Sequence, residues 1–193
     1  TPTTLEKFPP IPRQIRSGSA YHLPYAPNHR SFAMPTGYSR PQIVLHWITF
    51  LILISQFVFH DFISDAFDAM LDGRTVAFHP LIALHVFGGF LVFVLALVRL
   101  QMRASRGVPP LPEDEPAPLK LLAHVTHYAL YALLILLPIS GAVAWFQGVE
   151  AAGEAHEVMR GILLVLVGLH VAGALVQQFV LKTNIMARMR TPG

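Results

Sequence analysis

Four stretches of this chain, residues 41–60, 75–98, 121–149 and 161–181, contain no Asp, Glu, Lys or Arg. Each is long enough to cross a bilayer, since about 30 Å of hydrocarbon takes roughly 20 helical residues. Lipid offers the backbone no hydrogen-bond partners, so a spanning segment must satisfy its own amides and carbonyls. The runs therefore predict four transmembrane helices, near 42–60, 81–101, 121–146 and 156–181. The expected fold class is an all-α membrane protein: a four-transmembrane-helix bundle over 41–190, preceded by a proline-rich, extended N-terminal tail over 1–40.

Composition agrees and narrows the chemistry. Only 13% of the 193 residues are charged, against roughly 25% in an ordinary soluble domain, which leaves too little polar surface for a globule in water. The chain has no cysteine, which removes disulfides, thiolate zinc sites, iron–sulfur ligation and covalent haem attachment. Ten histidines remain as the common metal-ligating side chain. No basic patch with interleaved aromatics points to nucleic acid.

The first forty residues hold seven prolines and no charged n-region followed by an apolar stretch, so they do not read as a signal peptide. Asp72-Gly73 and the segment Val108-Pro109-Pro110-Leu111-Pro112 read as turns. Pro138 should kink the third span rather than end it. Charge gives an orientation: the tail, the segment from Arg99 to Lys120 and the C-terminal end sum to +8, whereas the two remaining loops sum to −5. By the positive-inside rule both termini are cytoplasmic and the acidic loops face outward.

Eight of the histidines lie in or at the edges of the spans, where ionisable side chains are rare and usually functional. A single one would read as a polar group bonded within the bundle; the spacing argues for more. His156 and His170 are fourteen residues apart, about 21 Å of rise and roughly 40° short of four turns, so they share a face at two depths. His46 and His60 repeat the interval. Neutral imidazole is an axial haem ligand, and a six-coordinate haem between helices takes one histidine from each side. Depth sorts the residues into an inner tier, His46, His124, His127 and His170, and an outer tier, His60, His79, His85 and His156. Only the fourth span serves both. His46 is the favoured inner partner of His170, because His124 and His127 share one helix face. In the outer tier His60 competes with His85; the apolar setting of His85 and the nearby Gly88-Gly89, where a flat macrocycle can approach, favour His85.

Several segments carry a resemblance: the run from Tyr38 through Pro41, His46 and Trp47; Leu84-His85-Val86 with Arg99-Leu100; Ala123-His124-Val125-Thr126-His127 with Pro138-Ile139-Ser140-Gly141; and His156-Glu157 with Gly168-Leu169-His170. In order and spacing, over about 38–190, they resemble the bacterial cytochrome b561 family of di-haem, four-helix, quinone-linked cytochromes. The resemblance implies two noncovalent haems b, one held by His46 and His170 and one by His85 and His156. The sequence departs from the family in its long tail and in its outer charge. Family members that act as superoxide oxidases are expected to guide an anion inward with basic residues, and here the outer loops carry −5.

The expected function is a membrane electron carrier of the bacterial inner membrane, passing electrons between ubiquinone and a partner, with no catalytic side chain assigned. Arg40, Arg99 and Arg103, at the inner edge, are candidates for haem propionates and equally for positive-inside anchoring. His124 and His127 are candidates for a quinone or propionate contact. The acidic outer face suits a basic periplasmic cytochrome c. The alternative is a haem-bearing accessory or anchor subunit of a larger respiratory or photosynthetic complex, held to other subunits by the tail. Gly161, Gly168 and Gly173 read as close helix packing, Trp47 and Trp145 as interfacial anchors, and the Phe-rich second span as lipid-facing or core surface.

Overall fold

A computed structural model of the chain describes residues 37–111 and 115–193, and all their regular structure is helical. Four long helices, α1 (Arg40–Val58), α3 (Pro80–Arg106), α4 (Ala117–Gln147) and α5 (Glu150–Leu175), are each long and apolar enough to cross a membrane. The last continues through a π-helical turn, Val176–Val180, and a 3-10 turn follows at Ile185–Met189. The N-terminal tail over 1–36 lies outside the described residues.

The α4 and α5 helices are joined by two residues only, Gly148 and Val149, with Gly148 at φ +65° ending α4, a left-handed conformation that glycine adopts without steric cost. So short a link makes the two antiparallel neighbours. Pro138 lies inside α4 without ending it, as expected. The interior is small and central: Val92, Ala96 and Leu134 form one cluster, and Leu133, Leu137 and Leu163 another, bridged by Leu53 of α1. The outward surface is apolar as well. Leu51, Phe87, Phe90, Phe146 and Phe179 are all exposed, a surface suited to lipid and not to water.

Three features differ from the expectation. Residues read as an outer loop form a further helix, α2 (His60–Leu71). It is too polar for the bilayer, but its apolar residues recur at helical spacing, and its Ala66 is buried. Second, α3 runs to Arg106, beyond the expected end near 101, so Arg103 as well as Arg99 stands on the helix. Third, a side chain placed at Gly161, Gly168 or Gly173 would meet nothing within 4 Å, so these glycines do not mark close helix contacts among the described residues.

The inner ends are tied by side chains. Gln42 accepts from the Ser39 backbone N–H at 2.9 Å and donates to the Gly107 carbonyl at 3.2 Å. Trp47 Nε1 donates to the Met189 carbonyl at 2.9 Å, fastening the C-terminal turn to α1.

Candidate functional site

Two pairs of imidazoles face each other across the bundle with nearly the same geometry. The His46 ring on α1 stands 6.2 Å from that of His170 on α5, centroid to centroid, with the planes 60° apart. The His85 ring on α3 stands 6.3 Å from that of His156 on α5, with the planes 58° apart. Two metal–imidazole bonds of about 2 Å, with about 1.1 Å from each nitrogen to its ring centre, set two rings on opposite sides of one metal about 6 Å apart. Both pairs meet that spacing. No cluster of three or more protein ligands occurs among the described residues. Each ring pair would offer two donors, to which a macrocycle would add the other four.

The surroundings of the outer pair also fit a flat apolar group. His85 and His156 line one cavity with Leu53, Phe57, Leu134 and Leu163. Gly89 lines it too, and a side chain there would meet nothing within 4 Å. Gly88 does not serve this purpose: its missing side chain makes room for the Gln56 amide. Gly141 of α4 leaves space for His156, since a Cβ there would stand 3.1 Å from that ring.

The hydrogen bonds orient the rings. His156 Nδ1 lies 2.9 Å from the Leu137 carbonyl and 3.2 Å from Ser140 Oγ. Donating from Nδ1 to that carbonyl leaves Nε2 as the free donor atom for a metal. On the inner side Arg99 lies 3.1 Å from His46 Nδ1 and over the Tyr131 ring at 5.6 Å, and Arg103 lies over Tyr128 at 5.5 Å.

The other histidines divide. His127 joins the inner group, but its ring centre is 5.0 Å from that of His170, too close for the two to stand on opposite sides of one metal, and its Nδ1 is bonded to the Ala123 carbonyl. His124 is exposed and bonded likewise to the Lys120 carbonyl. His60 lies 6.4 Å from His85, so distance alone admits it; its Nε2, however, lies 3.2 Å from a Glu157 carboxylate oxygen. His79 belongs to neither group: it accepts from the Leu81 N–H at the start of α3 and stacks on Phe62 at 4.8 Å. Arg40 is exposed at the first turn of α1.

Sequence reasoning missed two residues of the outer cavity, Gln56 and Arg160. Arg160 pairs with Glu157 and lies over Phe57 at 6.0 Å. The signals were present, Gln56 as an amide inside an uncharged span and Arg160 one turn beyond His156.

A multi-span helical bundle with paired imidazoles at two levels is the architecture of a membrane cytochrome b. The sequence matches the family model of prokaryotic cytochrome b561 over residues 37–192, and the chain belongs to that family. It is similar to a cytochrome b562 of Cereibacter sphaeroides, 33% identical over 159 residues that cover 81% of this chain and 96% of the relative. It is also similar to a probable superoxide oxidase CybB of Yersinia pestis, 25% identical over 177 residues that cover 79% of this chain and 94% of the relative. The protein is thus a multi-pass haem b electron carrier of a bacterial membrane.

Proposed function

We propose that this cytochrome holds two haems b, one between His46 and His170 and one between His85 and His156, and carries electrons across the bacterial inner membrane between ubiquinone and an outer partner. The two ring pairs at 6.2 and 6.3 Å are the observation that carries the reading. Each bound haem supplies one-electron exchange between ferric and ferrous iron. The chain supplies position: α5 contributes one ligand to each level, fourteen residues and about 21 Å apart along the helix.

Arg99 supports a propionate contact at the inner level. A guanidinium only donates, so beside it His46 Nδ1 accepts; an imidazole that binds metal through Nε2 carries its proton on Nδ1. Loading therefore turns Arg99 away from His46 and frees it for an acid group, with Arg103 and Arg40 as further cations on that side. His124 and His127 are the proposed quinone or propionate contacts there. Charge supports cytoplasmic termini, with +8 on their side against −5 on the other.

The −5 outer face favours a basic cytochrome c as the outer partner and disfavours superoxide, an anion that it would repel. The long proline-rich tail supports a second reading, an accessory subunit held in a larger complex.

Substitution with haem counting tests the ligand assignment. The full-length protein should contain two haems per chain, while His46→Ala and His156→Ala should each contain one and lose different redox steps. A single haem per chain in the unaltered protein, or two in either variant, would overturn the reading.

A further inference from the structure

Two buried polar atoms in the outer cavity lack partners. His85 Nδ1 and Gln56 Nε2 are both buried and unbonded, and both residues line the cavity that also holds His156. A histidine that binds metal through Nε2 carries its proton on Nδ1, and that proton needs an acceptor. His156 has one in the Leu137 carbonyl. His124 and His127 use the carbonyl one turn back on their own helix; His85 does not use the corresponding carbonyl of Leu81.

Gln56 is an uncharged amide held at this depth by a specific accommodation. Its terminal group occupies the space where a side chain at Gly88 would stand, one turn from His85 on the same helix. Burying an amide without a partner is costly, so an amide kept in an apolar span is expected to have a bond to make. No bond joins the two groups in this structure; a turn of the flexible Gln56 side chain, which stands beside Gly88, would present its oxygen, an acceptor, to His85 Nδ1.

We propose that Gln56 is the positioning residue for His85: its amide oxygen accepts the His85 Nδ1–H and so directs Nε2 toward the outer haem iron. Gly88 is part of the same device, because only a residue without a side chain admits the amide. An acceptor on Nδ1 makes an imidazole a stronger electron donor, which stabilises ferric over ferrous iron. The outer midpoint potential is therefore set partly from α1, a helix that contributes no ligand at that level. This inference rests on the two-haem reading above.

The test is a redox titration of the full-length haem-loaded protein, the outer step being the one missing from His156→Ala. Gln56→Met, close in volume and without an acceptor, should favour reduction of the outer haem about tenfold, which is about 59 mV upward for a one-electron couple. Gly88→Ala, which displaces the amide, should move it the same way. Gln56→Glu keeps an oxygen acceptor and should move it downward, while the inner step stays put in all three. An outer midpoint unmoved in Gln56→Met, or moved upward in Gln56→Glu, would overturn the proposal. So would loss of the outer haem in both Gln56 variants, since a retained oxygen should rescue it. A single redox step in the unaltered protein would instead fail the two-haem reading, and this proposal with it.

Discussion

Gly141 of α4 decides how near the His156 ring can approach that helix. A methyl group there would stand 3.1 Å from two ring atoms, tighter than ordinary packing, so the ring must give way and strain its bond to the Leu137 carbonyl. Overpacking of this kind costs about 1–3 kcal/mol. Gly141→Ala should therefore lower thermal stability by that amount and, if two haems are held as proposed, alter the optical spectrum of the one at His156 while leaving the other unchanged; an unaltered spectrum would show that the ring has room to move. Period and depth brought out the histidines of both levels, because they act on residues that lipid seldom tolerates, though it took the family resemblance to set His85 over His60. Gln56 and Arg160 were not, because one amide in a span carries no period and an arginine near a span's end already has a reason to be there. Gly88 was read as room for a macrocycle, whereas the space belongs to a side chain of another helix, which no single-helix pattern reveals.

Among the elements, α2 departs most from the expected outline. Its acidic residues, Asp61, Asp65 and Asp68, with Asp72 just past its end, recur at three- and four-residue intervals. On a helix this spacing gathers them into one stripe. The charges were legible as a total; the stripe required knowing that the segment is helical, and a search for twenty apolar residues passes over a twelve-residue amphipathic helix. If the stripe receives a basic cytochrome c, Asp65→Asn with Asp68→Asn should slow its reduction about tenfold at low ionic strength, with the difference shrinking as salt rises. Equal rates and equal salt dependence would remove α2 from the docking surface. The four spans themselves were placed to within a few residues at most ends. The largest discrepancies, at α3's C-terminus and α5's N-terminus, arise because charged residues at a membrane edge continue a helix although they end an uncharged run.

For the molecule as a whole, the bundle and its family could be read from the sequence, since the bilayer permits few architectures and the histidine spacing selects among them. The partner could not, because recognition lies in surfaces that the pattern of spans does not constrain. Removal of residues 1–36 separates the two readings of the role. A carrier that meets its partner by diffusion should keep its haem content and its electron transfer, whereas an anchored subunit should lose its companions on purification in mild detergent.

The two-residue link between α4 and α5 also bears on how the chain is made. Gly148 and Val149 leave no loop that could wait in water while one helix enters the bilayer ahead of the other, so the pair must insert as a hairpin. If the termini lie on the cytoplasmic side, as proposed, the hairpin's leading end carries Glu150, Glu154, Glu157 and Arg160 across the hydrocarbon. The pairing of Arg160 with Glu157 lowers the charge that crosses, and the apolar length of the two helices must supply the remaining driving force during biosynthesis.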